Sequence, residues 1–285
     1  MGKATTNLVC EWWAREITGQ LGISSAVFKK VGLGAREIAG IREAGITHLE
    51  LSTNTSFDYR NRKQVSEIAR ECEKEGLNIV SFHTSLFPFQ SADEGERTEA
   101  VQEAVFLART AMEMGAGILS CHFHTNAQTK RSVYEMLEEL QDMSLVLAVE
   151  NVGQVKIKDA LSLVDEINSD RFKMLLDIGH ERDSDGVNPF VKKDGARAAV
   201  TQCREQLCAV HLHETFALEH KPDHRAPLHK DGIIEWGKVF AGLKDVGYQG
   251  VLLFEDGRGE NPEEWVRAVG EFPKKFVERY GTASS

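Results

Sequence analysis

The chain has 285 residues, of which 41% are hydrophobic and 27% charged, with a formal net charge of −10. That composition is globular, and the acidic balance counts against nucleic acid as the main partner, because phosphate neutralisation drives that binding. No run approaches 18 apolar residues, which excludes a membrane-spanning helix read from sequence. Five cysteines (Cys10, Cys72, Cys121, Cys203 and Cys208) form no CxxC pair, and they are read as reduced thiols of a cytoplasmic protein.

In chain order, the N-terminus MGKATTNLVCEWW lacks the pattern of a signal peptide. Gly2 and Thr6 meet the loose myristoylation pattern, which short sequences meet by chance. A first strand is expected near 8–10. Short apolar runs then recur: ITHLE (46–50), NIVSFH (78–83), GILSCH (117–122), LVLAVE (145–150), FKMLLD (172–177), LCAVH (207–211) and VLLFE (251–255). Such continuous runs are what parallel strands buried on both faces look like. Segments with helical period lie between them: 33–44, 62–75, 96–114, 129–142, 156–168, 233–246 and 262–280. Gly45, Gly76, Gly115 and Gly247 fall just past helix ends, where a left-handed residue closes the helix.

Eight strand-then-helix units in this length predict a (β/α)₈ TIM barrel, a single domain over 1–285. No GxGxxG or GxxxxGK[ST] turn favours an open nucleotide-binding sheet instead.

The residues ending the apolar runs are Glu50, His83, His122, Glu150, Asp177, His211 and Glu255. Core filling does not explain seven ionisable groups at strand ends, because a buried acid or histidine is costly without a partner. In a barrel these ends form the active-site face. Carboxylates crowded there repel unless a positive charge sits between them. Glu150, Asp177, His211 and Glu255, from four consecutive strands, therefore read as ligands of one divalent metal. Three carboxylates and an imidazole suit Mn²⁺, Mg²⁺ or Co²⁺ at least as well as Zn²⁺, and Mn²⁺ is the expected ion.

His180, three residues past Asp177, could be a ligand, a substrate contact or a loop histidine; substrate contact is favoured. His83 and His122 line the pocket or serve structure. Asn151 and Gln154 are candidate partners of the Glu150 carboxylate. Trp12, Trp13 and Trp236 read as packing, and His48 as structural. His211 and His213 share a strand face. His211 is chosen as ligand because it ends its apolar run, with His213 above it in the pocket and Glu214 orienting a neighbour or meeting substrate.

At ENVGQ, DIGH, HLHE and FED the chain resembles the xylose isomerase-like barrels, which include sugar isomerases and epimerases and the endonuclease IV branch. In that family a ligand histidine on strand 7 is followed three residues later by an acid, a spacing met by His211 and Glu214. By resemblance the metal ligands fall on the same four residues. The glutamates Glu150 and Glu255 would move the substrate proton, and His180 would touch the sugar. The arginine that epimerases carry shortly after HxxE is absent, since position 217 is Ala, and Arg225 could substitute from the loop. Asp223 and His224 are adjacent, whereas the endonuclease branch spaces such a pair as Asp-x-His. The implied function is a metal-dependent keto-sugar isomerase or epimerase. A lyase or dehydratase on a keto-sugar or keto-glycoside is the alternative, and an endonuclease IV-like phosphodiesterase a further one. The implied partner is a small carbohydrate. A homo-oligomer is compatible with the resemblance, although no sequence feature fixes an interface.

Overall fold

The computed structural model describes residues 19–280 except 56, 86, 217–223, 257 and 260. Eight strands close into one parallel barrel in sequence order. They are β1 (Leu21–Ser24), β2 (His48–Ser52), β3 (Asn78–Thr84), β4 (Ile118–Cys121), β5 (Val146–Glu150), β6 (Phe172–Asp177), β7 (Leu207–Leu212) and β8 (Leu252–Phe254). Among the described residues the helices are α1 (Ala35–Glu43), α2 (Arg62–Glu75), α3 (Glu94–Glu113), α4 (Ala127–Glu139), α5 (Ile157–Ile167), α6 (Gly195–Thr201), α7 (Trp236–Asp245) and α8 (Pro262–Tyr280). None of them is long and apolar enough to cross a membrane.

Each outer helix buries one stripe. On α2 the buried residues are Val65, Ile68 and Cys72, at helical spacing, while its charged residues face outward. Asn61 caps its start by accepting from Gln64 N, and Gly76 ends it at φ 66°. The other expected closing glycines also take positive φ: 83° at Gly45, 95° at Gly115 and 68° at Gly247.

Two expectations are corrected. The barrel's first strand is Leu21–Ser24, the place the sequence pattern gave to 8–10; it closes the barrel by pairing Leu21 with Leu252 and Gly22 with His48. The 8–10 segment lies outside the described residues, as do Gly2, Thr6, Cys10, Trp12, Trp13 and Asp223. The unit after β6 is completed by the seven-residue α6, which no sequence pattern singled out. The described cysteines, Cys72, Cys121, Cys203 and Cys208, are free thiols.

Candidate metal centre

The ends of β5 to β8 bring Glu150, Asp177, His211 and Glu255 together. Each offers one ligand atom, and the four atoms lie within 4.8 Å of one another, all in buried side chains. His211 Nδ1 is 3.3 Å from Glu255 Oε2, 3.7 Å from Glu150 Oε1 and 3.8 Å from Asp177 Oδ2, yet forms no directed hydrogen bond. Its other nitrogen, Nε2, lies 3.2 Å from the Glu50 carboxylate.

Asp177 shows how the local chain aims a carboxylate. Its Oδ1 accepts from Gly179 N at 2.6 Å and His180 N at 3.1 Å, and lies 3.1 Å from His213 Nε2. Its Oδ2 is buried with no hydrogen-bond partner. The D-I-G-H turn thus saturates one oxygen and leaves the other facing the cluster. Gly179 is required by contact, because a Cβ there would sit 1.8 Å from His213 Cε1. Asn151 fixes the same turn from β5: its side chain accepts from Asp177 N at 2.8 Å and donates to Asp177 O at 2.9 Å. It serves the Asp177 main chain rather than the Glu150 carboxylate, and Gln154 is exposed.

Histidines ring the acids. His122 Nε2 is 3.1 Å from Glu150 Oε2 and His83 Nδ1 is 3.8 Å from the same oxygen. His180 Nε2 is 3.7 Å from Asp177 Oδ2 and 4.0 Å from Glu150 Oε1. His224 Nδ1 is 3.6 Å from Glu255 Oε2, and its ring stacks on His213 at 4.1 Å. His122 (31% side-chain exposure) and His180 (12%) present accessible edges, whereas His213 is fully buried.

Charge follows this geometry. Burial alone would raise the Glu150 carboxyl, but His122, with His211 and His83, holds it well below the usual range. Glu255 is likewise opposed by burial and held low by His211, then His224 and His83. Against burial, His180 and His213 hold Asp177 at about 2. Burial would lower His211, but Glu50, Glu255 and Glu150 push it well above its ordinary value. Burial and the neighbouring His213 push His224 down to about 4.

Glu214 is not brought to the cluster. Its buried carboxylate accepts from Trp236 Nε1 at 2.6 Å, Ile234 N at 2.8 Å and Thr215 N at 3.2 Å. Its backbone pairs in both directions with Arg225. Of the two roles expected for Glu214, orienting its neighbours fits this geometry and substrate contact does not: the carboxylate anchors the start of the β7 loop. Trp236 packs as expected and is also a donor. The Arg225 guanidinium lies over the Phe216 ring at 5.0 Å. It lines a cavity of about 400 Å³ together with His224, His229, Asp256 and Arg258.

Two residues were missed as members of the site. Glu50 was visible as a strand-ending acid, but only the register puts it behind His211. His224 follows no motif and reaches Glu255 through loop geometry.

A model of the xylose isomerase-like TIM barrel family matches residues 38–275. The chain belongs to this family. Among solved structures, family-like barrels superpose along nearly the whole chain. An L-ribulose 3-epimerase is 16% identical with TM-score 0.72, covering 92% of this chain and 95% of its own. A D-allulose 3-epimerase from Methylomonas sp. is 16% identical with TM-score 0.69, covering 90% and 97%. A probable 3-DHS dehydratase from Bacillus anthracis is 13% identical with TM-score 0.68, covering 90% and 98%. At these identities the likeness establishes the shared barrel.

Proposed function

We propose that the chain is a divalent-metal-dependent epimerase or isomerase of a keto sugar, working by proton transfer next to a carbonyl. One observation carries the reading: Asp177 Oδ2 and His211 Nδ1 are buried without directed hydrogen bonds in one cluster with the Glu150 and Glu255 carboxylates. Unpaired buried groups of this kind are costly, and one divalent cation would satisfy them together. Glu150, Asp177, His211 and Glu255 would hold it; the oxygen-rich set suits Mn²⁺. When bound, such a cation supplies Lewis acidity, which stabilises charge on a substrate oxygen and acidifies the neighbouring C–H.

Glu150 and Glu255 are both ionised at neutral pH. Either can accept the substrate proton, and the other can return one. Return to the opposite face of the same carbon gives an epimer; return to the neighbouring carbon gives an isomer. His180, His122 and His83 surround Glu150 on the side where sugar hydroxyls would lie, and Arg225 would reach substrate from the β7 loop. His213 we assign to holding Asp177, since it has no exposed edge. Similarity to the L-ribulose and D-allulose 3-epimerases supports a ketose substrate.

Incubation with Mn²⁺ and a panel of ketoses, analysed by NMR, tests the reading. A new epimer or isomer is expected. A product lacking water or an aglycone would make the enzyme a lyase, since elimination starts from the same proton abstraction. No conversion of any keto compound would overturn the proposal.

A second reading is favoured by another group, His83, His122 and Glu150, whose ligand atoms also lie within 4.8 Å and which shares Glu150 with the first. If His83, His122 and Glu150 also held an ion, the second cation would supply the charge neutralisation that suits phosphodiester hydrolysis. Metal analysis separates the two: one ion per chain supports the epimerase, and several ions with cleavage of abasic DNA support the hydrolase.

A further inference from the structure

We propose that Glu50 is a positioning residue for His211: it accepts the Nε2–H hydrogen bond and so turns the Nδ1 lone pair toward Glu150, Asp177 and Glu255. The inference rests on the metal reading above. Glu50 lies on β2, opposite β6 in the closed barrel, and is 1% exposed. Both of its oxygens are 3.2 Å from His211 Nε2. Ser81 Oγ on β3 donates to Glu50 Oε2 at 2.8 Å, and strand register pairs the two residues. The carboxylate is therefore held by its own donor and presented to His211 Nε2, with a His83 nitrogen also within 4.8 Å of it.

A neutral imidazole has one N–H and one lone pair, and the hydrogen bond made by one nitrogen decides what the other offers. The three carboxylates address Nδ1 and Glu50 addresses Nε2. When the imidazole gives up its second proton to become a ligand, Glu50 keeps the remaining one on Nε2; without that acceptor it could sit on Nδ1, where it would block ligation. A buried acid on β2 outside the four-residue cluster thereby acquires a purpose that core packing does not give it.

The test uses Mn²⁺ titration of the full chain, with Zn²⁺-loaded protein for NMR. Wild type should bind one ion and show a downfield N–H resonance from a hydrogen-bonded imidazole. Glu50→Ala should lose affinity by about 10- to 100-fold and lose that resonance, as His211→Asn does. Glu50→Gln keeps an acceptor oxygen and should recover most of both. Ser81→Ala keeps the carboxylate but frees it, and should weaken binding by a smaller factor; it reports even where Glu50→Ala does not fold. Wild-type affinity together with an unchanged resonance in Glu50→Ala or Ser81→Ala would overturn the role of Glu50 alone. Absence of Mn²⁺ binding by wild type would overturn the metal reading itself.

Discussion

Replacing Glu214 separates an anchoring acid from a substrate-binding one. Glu214→Ala leaves Trp236 Nε1, Ile234 N and Thr215 N without their acceptor in a buried place. Each unpaired buried donor costs about 1–3 kcal/mol. Burial also pushes the Glu214 carboxyl up, so the charge removed was itself incompletely compensated, and the loop can relax. We expect a net loss of about 3–5 kcal/mol for Glu214→Ala and about 1–2 kcal/mol for Glu214→Gln, which keeps one oxygen. Urea unfolding in chelator, followed by circular dichroism, measures both. The pH dependence gives a second readout. A carboxyl whose folded value is raised stabilises the fold fully below its unfolded value near 4.5. That contribution is lost as pH rises through the raised folded value. Wild type should therefore lose stability relative to Glu214→Gln over that window and run parallel to it above. If Glu214→Ala unfolds at the wild-type midpoint and only raises KM for a ketose, the anchoring argument is wrong.

Gly179→Ala should displace His213 from Asp177, since its Cβ has no room, and weaken Mn²⁺ binding by about tenfold or more; unchanged affinity in calorimetry would contradict the D-I-G-H geometry. Saturating Mn²⁺, at about 100 times its dissociation constant, should raise the melting temperature by about 4–5 °C over chelated protein; coincident scans would count against the site. Binding at neutral pH should also release about one proton, because the three carboxylates are held ionised while His211 is pushed up. Calorimetry in two buffers of different ionisation heat reads that proton, and affinity should fall as pH falls.

The barrel was legible because its strands are short, continuous apolar runs separated by charged helices with closing glycines. Two elements escaped for physical reasons. Leu21–Ser24 is only four residues long and contains Gly22, where a Cβ would meet Val251 Cγ1 at 2.5 Å; the apolar 8–10 run was a stronger pattern. The seven residues of α6 carry no charged face to give helical contrast. Strand-end acids and histidines exposed the cluster, and His211 does face the carboxylates. What sequence did not carry was the partner of each polar atom. Glu214 is committed by Trp236, 22 residues away. Glu50 meets His211 from 161 residues away, after a register shift between Leu49 and Glu50. His224 approaches Glu255 from a loop at positive φ. Such pairings are set by tertiary closure rather than by local period.

Solvent deuterium exchange at the carbon next to the substrate carbonyl tests the central claim most directly. Wild type with Mn²⁺ should wash deuterium into a ketose, and chelator, Glu150→Gln or Glu255→Gln should each abolish it. Exchange that persists in both variants, or that is indifferent to chelator, would contradict proton transfer by these two glutamates at a metal centre.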